Sequence, residues 1–297
     1  MPKLKVLSEN DNSMRILVSN SDRSFLNALR RTMIADVPKF AIDQMRIELG
    51  MFQDKETGEY FESNFALSDE QLAHRFAMLP IPTFHADFHF QDECPECQDL
   101  VKDQRGCPAC QIIYTISSSG EAGGKIVEAS ELNVIGDRRL DIPDEFKHIP
   151  LTKLYEGQVL HAYFYAIMGR GRDHAKYSPV SGVTFRARQH GVINVKTRSK
   201  MLFDLDLSIV AKDFDKDGTL TDIDKVDLLR NDLNHVGPGT DLETKFDGAI
   251  TLEDVKGEYI FKFQTDGSMS ARTCFEQAYK ELASRFELLT ADIADAF

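Results

Sequence analysis

The sequence lacks the features that would place it in a membrane or on a secretory route. No stretch of its 297 residues approaches the ~20 consecutive apolar residues that a helix needs to span a bilayer. The first residues, MPKLKVLSENDNS, become polar too early to form the apolar core of a secretory signal. We therefore expect a cytoplasmic protein that does not act in a membrane.

Basic residues are fewer than acidic ones. The chain has 35 Lys and Arg residues against 48 Asp and Glu, a net charge of −13, which argues against a protein whose main task is to grip a phosphate backbone. One window, residues 174–203, is an exception because it has no acidic residue and contains Lys176, Arg186, Arg188, Lys196, Arg198 and Lys200. It is either a solvated face that complements the acidic residues after it, or a strip that steers a partner or nucleic acid.

The apolar pattern predicts an α+β fold. Spacing of three and four residues predicts a helix over RSFLNALRRTMIADV, capped by Ser21 or Asp22, and a long helix from Ala271. A second helix is predicted over LAHRFAML, where Ser68 and Gln71 form a capping box. Strict alternation predicts strands, including FHADFHF (84–90) and the run 203–209, and a polar turn is predicted around residues 54–59.

The last predicted helix carries an apolar stripe that is too long for one small sheet to cover. Its members recur every three or four residues: Phe275, Ala278, Leu282, Phe286, Leu289 and Ile293. Packing within its own domain remains one interpretation of the stripe. The excess length favours contact with a partner helix or subunit as well.

Cysteines are few, and four of the five form two pairs. Cys94-Pro-Glu-Cys97 and Cys107-Pro-Ala-Cys110 are separated by nine residues, and each tight turn can direct two sulfurs at one point. In a reducing compartment this pattern predicts a closed four-thiolate shell that suits zinc; an iron-sulfur cluster and a redox disulfide remain as alternatives. A closed shell has no open position for water, so we expect a structural metal.

A second, weaker metal motif is acidic. Oxygen-bearing side chains alternate around Gly218 with the spacing of a calcium loop: Asp213, Asp215, Asp217, Thr219, Thr221 and Asp224. The last position carries Asp where the longer Glu is usual. A divalent-cation site is thus one hypothesis, and an acidic turn that caps the next helix is the other.

No phosphate-cradling glycine loop, nucleophile elbow or Ser/His/Asp arrangement is present in the sequence. The closed cysteine set also offers a metal-dependent enzyme no open coordination site. We therefore favour a non-catalytic assembly protein.

Four segments together resemble one family: FLNALRRTMIADVPKFAID, LAHRFAMLPIP, GRDHAKYSPVSGVTF and FQTDGSMSARTCFEQAYKEL. The chain resembles the D-type subunits of archaeal RNA polymerase, a family whose relatives include the third subunit of eukaryotic polymerase II and the N-terminal domain of the bacterial alpha subunit. The similarity extends over most of the chain. It implies a non-catalytic subunit of a DNA-directed RNA polymerase, a nucleotidyltransferase complex active in transcription.

The resemblance implies a discontinuous dimerisation domain, an antiparallel sheet with helices, interrupted by a mostly β insert domain that carries the four-Cys loop. Its parts would be residues 1–51, 174–188 and 248–297, with the insert at 52–173, the metal loop at 94–110, and an acidic segment at 189–247. Many family members have a cysteine-bearing ferredoxin-like domain at that last place. This chain has no cysteine there, so an iron-sulfur cluster in that segment is excluded.

The resemblance also implies partners. The first and last helices would contact a small partner, subunit L, and the heterodimer would support the large catalytic subunits and two small zinc-bearing subunits, so DNA would be reached only through the complex. The implied interface residues are Phe25, Leu26, Leu29, Arg30, Arg31, Met33, Phe275, Leu282, Phe286 and Leu289. The competing hypothesis is a free-standing zinc-ribbon protein that binds nucleic acid through the basic window and is monomeric.

Overall fold

The computed structural model describes residues 2–53 and 58–296 of the chain. Over these residues it contains thirteen β-strands and six α-helices. The strands are β1 Lys3–Asn10, β2 Ser13–Ser19, β3 Pro38–Ile47, β4 Met51–Gln53, β5 Tyr60–Glu62, β6 Gln111–Ser119, β7 Lys125–Glu128, β8 Asn133–Ile135, β9 Pro150–Leu154, β10 Val159–Arg170, β11 Val180–Ile193, β12 Thr219–Leu220 and β13 Ile250–Thr265. The helices are α1 Arg23–Ala35, α2 Asp69–Ala77, α3 Lys196–Phe203, α4 Ile223–Leu233, α5 Glu243–Phe246 and α6 Ala271–Ala296. The predicted α+β class is confirmed; residues 54–57 of the predicted polar turn lie outside the described residues.

The chain forms two compact units, each built from separate segments. The first contains the residues up to Leu7, Arg15–Leu26 and Thr184–Phe261, and the second contains Ser8–Met14, Asn27–Val183 and the residues from Lys262 onward. The dimerisation, insert and acidic segments assigned from the sequence stay predictions.

A five-stranded sheet in the order β1-β2-β13-β11-β12 provides most of the first unit. The segment that follows β11 has a hydrophobic cluster of its own, in which Leu202, Leu229 and Phe246 bring α3, α4 and α5 together. The predicted strand at 203–209 is wrong, because this run leaves the end of α3 in turns, from which Phe203, Leu207 and Ile209 pack in that cluster while Leu205 is exposed. Asp206 has a φ of +50°, which ends any extended run there.

An antiparallel four-stranded sheet in the order β3-β10-β6-β8 forms the centre of the second unit. Phe164 of β10 lies between Met45 of β3 and Tyr114 of β6 in the register. Helix α2 packs on this sheet, with the rings of Phe76 and Phe164 stacked at a centroid distance of 4.2 Å. Ser68 caps α2, as the sequence predicted, because its hydroxyl accepts the backbone N–H of Gln71 at 3.4 Å.

The predicted strand FHADFHF is also wrong. Residues 85–87 form a turn, and the flanking residues are irregular. Phe88 and Phe90 pack separately against the core cluster, and the Phe88 ring contacts the Phe40 ring edge-on at 5.0 Å. The alternation therefore reflected core contacts of single aromatic side chains and not a paired strand.

None of the helices in the described ranges combines the length and the apolar character needed to cross a membrane.

Candidate metal loop and docking helix

The two Cys-Pro-x-Cys turns have the same backbone geometry. In the first, the N–H groups of Cys97 and Gln98 donate to the carbonyl oxygen of Cys94 at 3.0 and 2.9 Å. In the second, the N–H groups of Cys110 and Gln111 donate to that of Cys107, both at 3.0 Å. Proline after the first cysteine of each pair fixes φ and has no N–H to satisfy, which favours such a tight turn.

The four sulfurs converge as the spacing predicted. The Sγ atom of Cys107 lies 3.5 Å from that of Cys94 and 3.7 Å from that of Cys110, and the Sγ atoms of Cys110 and Cys97 are 3.7 Å apart. All four ligand atoms lie within 4.8 Å of one another, and the cysteines are free thiols. A tetrahedral zinc with sulfur bonds of about 2.3 Å requires sulfur separations of roughly 3.8 Å, so the set fits a metal ion of this size.

The surroundings of the sulfurs lower the pKa of one cysteine thiol and raise the pKa of two others. Hydrogen bonds from the backbone of Gly106 and Cys107 lower the pKa of the Cys97 thiol to about 7. Burial raises the pKa of Cys107 to about 11, and burial also raises the pKa of Cys110. A cation at the centre would supply the charge that lets all four ionise together.

Other contacts hold the loop between the turns. The Arg105 guanidinium donates to the carbonyl oxygens of Leu100 at 2.9 Å and Gln98 at 3.1 Å. Gly106 has a φ of +148°, which side-chain-bearing residues rarely adopt, so the backbone here favours glycine. The backbone N–H of His89 donates to the carbonyl oxygen of Ala109 at 3.0 Å, which joins the second turn to the chain before the first.

The Asp-rich loop is arranged differently. Asp213 accepts the N–H of Val210 at 3.0 Å and pairs with Lys225 at 2.6 Å, while the Asp224 carboxylate pairs with Arg15. Within residues 2–53 and 58–296, the converging group of three or more metal-type ligands is the cysteine set. The residues Asp213, Asp215, Asp217, Thr219 and Asp224 are not brought together in this way, and cation binding by them stays a prediction.

Acidic partners within the chain engage most of the basic window. Four of its six cations form ion pairs: Lys176 with Asp43 at 2.7 Å, Arg186 with Asp227, Arg188 with Glu258 at 2.6 Å, and Arg198 with Asp247 at 2.8 Å. The other two, Lys196 and Lys200, lie on α3. The geometry thus favours the interpretation in which the window and the acidic residues complement each other.

Helix α1 begins where the sequence predicted. The Asp22 carboxylate accepts the backbone N–H of Phe25 at 2.8 Å, and the helix ends before Pro38. Leu26, Leu29 and Met33, which were expected to face a partner, are instead fully buried within this one chain.

The assignment of those three residues to an interface is therefore corrected. A helical apolar stripe has the same spacing whether it packs on its own chain or on another, so the sequence pattern does not distinguish the two cases. Of the remaining α1 positions, Phe25 and Arg30 are half-buried and Arg31 is exposed.

Helix α6 is covered along its first half only. Phe275 stacks on Phe263 at a centroid distance of 6.3 Å, and Leu282 is buried. Beyond them, Phe286 is 57% exposed and Leu289 53% exposed. Leu288 and Ile293 are also exposed, and sequence reasoning missed Leu288 because it followed a single stripe around the helix. We call Phe286, Leu289 and Ile293, which share one face of the helix, the α6 apolar surface.

The sequence of the chain matches a known protein family. Residues 15–286 match the family described as the RNA polymerase Rpb3/Rpb11 dimerisation domain, and the chain belongs to this family. The resemblance inferred from the sequence is confirmed.

Individual proteins of similar sequence share one name. A protein of Picrophilus torridus named DNA-directed RNA polymerase subunit Rpo3 is 30% identical over 98% of this chain and 100% of its own length. Proteins of the same name from Thermoplasma volcanium and Archaeoglobus fulgidus are 29% and 30% identical, over 99% and 97% of this chain and 100% and 96% of their own lengths.

Proposed function

We propose that this chain is a non-catalytic assembly subunit of a DNA-directed RNA polymerase. It forms a heterodimer with a smaller subunit, the counterpart of subunit L, and the pair supports the large catalytic subunit and the small zinc-bearing subunits. The family and the names of its relatives support this role.

The α6 apolar surface is the observation that carries the proposal. Large aliphatic and aromatic side chains that stay exposed together on one helix are the usual mark of a protein interface. Burial of this surface against a partner helix supplies the association free energy. Arg30 and Arg31 of α1, which were assigned to the same interface from the sequence, set register and partner choice at its rim.

The proposed resident metal is zinc, held by Cys94, Cys97, Cys107 and Cys110. Four thiolates complete its shell, so the ion stabilises the loop. Iron binds the same donors, and metal analysis of the purified chain distinguishes the two.

Co-expression tests the assembly role. The chain is produced with a candidate small subunit of the same family, purified through a tag on the partner, and analysed by size-exclusion chromatography with light scattering. We expect a stable one-to-one complex. Recovery of the chain alone as a monodisperse monomer, with the partner in a separate peak, would contradict the proposal.

The competing hypothesis, a zinc-ribbon protein that binds nucleic acid, makes an opposite prediction. It requires tight, salt-sensitive binding through the basic window. The ion pairs of Arg186 and Arg188 reduce the charge available for this. Fluorescence anisotropy with a short duplex at 50 and 200 mM salt measures it, and we expect weak binding at both concentrations.

A further inference from the structure

Arg170 occupies a junction in the second unit. It is the last residue of β10, and its side chain contacts three separate parts of the chain. Its Nη1 atom donates to the carboxylate of Glu281 on α6 at 2.7 Å and to the carbonyl oxygen of Asp36 after α1. Its guanidinium carbon lies 4.9 Å from the centre of the Phe90 ring, within the range of a cation–π contact.

The surrounding backbone leaves Arg170 little room to move. A Cβ atom on the next residue, Gly171, would come within 2.0 Å of the carbonyl oxygen of Ile34, so only glycine allows this approach to the end of α1. The N–H of Arg172 donates to the carbonyl oxygen of Ala35 at 2.9 Å. The backbone therefore fixes where the Arg170 side chain begins. The position of its guanidinium group depends on the groups that it contacts.

Phe90 lies just before the metal loop and is attached to it. The N–H of its neighbour His89 donates to Ala109, which lies between Cys107 and Cys110, and the carbonyl oxygen of Phe90 accepts the N–H of Glu93 at 3.2 Å, next to Cys94. Only the first attachment depends on a cysteine turn, because the hydrogen bond between Phe90 and Glu93 closes a local turn before Cys94. The Phe90 ring packs against the core cluster, and its backbone is tied to the closed cysteine loop through His89.

Glu281 connects the same arginine to α6. It lies next to buried Leu282 and five residues before Phe286, where the exposed part of α6 begins. A second ion pair joins α6 to the same place, because Arg285 contacts the Asp36 carboxylate. Asp36 is buried, so this anchor is protected from solvent screening.

We infer that Arg170 is a positioning residue through which the closed metal loop holds α6 in place. In this inference the metal loop has two states: it is closed around the metal, and it opens when the metal is removed. Opening displaces Phe90, Arg170 loses one of its three contacts, and its hold on Glu281 weakens. Where the chain acts as the proposed heterodimer subunit, loss of the metal then also lowers affinity for the partner.

Hydrogen exchange of the full chain tests this without any partner. Exchange of the α6 amides is compared between zinc-loaded protein and protein stripped with a chelator. Allosteric couplings usually correspond to about 5- to 150-fold. We expect stripping to speed exchange around residues 275–285 by about tenfold in the natural sequence, and by less than about twofold in Phe90→Leu and Arg170→Gln, where the connection is already broken.

Arg172→Gln is the matched control. It removes the same charge two positions along the chain, from a side chain that lies 4.0 Å from Asp36 and is more than half exposed. It should keep the full tenfold response. If Arg170→Gln fails to fold by circular dichroism, Phe90→Leu decides alone, because it keeps an apolar side chain of similar size.

Two results would overturn the inference: no change of α6 exchange on stripping, or a full response retained in Phe90→Leu. The exchange readout is independent of heterodimer formation, so a chain that binds no partner would refute the proposed function and leave this inference to stand. Conversely, if the heterodimer is stable and α6 exchange does not change on metal removal, only the inference is refuted.

Discussion

The α6 apolar surface allows a quantitative prediction for Phe286→Ala. A phenylalanine side chain buries about 150–250 Å² when fully covered. Since Phe286 is 57% exposed in the single chain, about 110 Å² remains for a partner to cover. At ~25 cal/mol per Å² this is worth about 3 kcal/mol, of which the alanine methyl keeps part, so the expected loss is about 2 kcal/mol.

Such a loss weakens the complex about 30-fold, because 1.4 kcal/mol corresponds to a factor of ten in Kd. Isothermal titration calorimetry with the small subunit measures the change. The melting temperature of the free chain should stay nearly constant, since substitutions of exposed residues usually change stability by less than about 0.5 kcal/mol.

Ile135→Ala is the control for this measurement. Ile135 is also 57% exposed, but it lies on strand β8. It should leave the Kd within about twofold of the natural value. If Phe286→Ala binds as tightly as this control, the exposed half of α6 is not the contact surface, and the reasoning from exposure to interface is refuted.

Three further predictions concern the chain by itself. Leu29→Ala should destabilise it by about 2–5 kcal/mol, because Leu29 is fully buried, and this is measurable by urea unfolding. Cys107→Ser should reduce bound zinc below a single equivalent after dialysis, since three thiolates leave the shell open; metal analysis checks this. Asp43→Asn should destabilise the chain at pH 7 by up to about 1 kcal/mol. Although burial raises the pKa of Asp43, the Lys176 hydrogen bond and charge hold it below the ordinary 3.8, so the difference from the natural sequence should shrink as pH falls below that value in thermal melts.

Local patterns predicted much of the fold because their causes are local. Asp22, one of two predicted candidates, and Ser68 are the caps, since a side-chain oxygen three residues before an N–H is a property of the sequence alone. The cysteine site followed in the same way from two tight turns. Family resemblance supplied the class of protein, which no single motif would have given.

The errors arose where the decision depends on distant parts of the chain. Alternating phenylalanines in 84–90 predicted a strand, but Phe88 and Phe90 reach the core from irregular backbone and Phe84 is exposed. The stripe on α1 has the spacing of an interface, yet tertiary packing covers it. The basic window left two interpretations open for a similar reason, because partners such as Asp227 and Glu258 lie tens of residues away in sequence.

The buried face of α1 has a consequence for the order of events during biogenesis. With Leu26, Leu29 and Met33 already enclosed, the subunit can reach its final shape before it meets another polypeptide, and binding then requires little new ordering. Encounter should accordingly proceed at the ~10⁵–10⁷ M⁻¹s⁻¹ typical of preformed surfaces. Destabilising substitutions in α1 should lower the abundance of the protein in the cell. Substitutions at the exposed end of α6 should leave its abundance unchanged and prevent binding of the proposed partner.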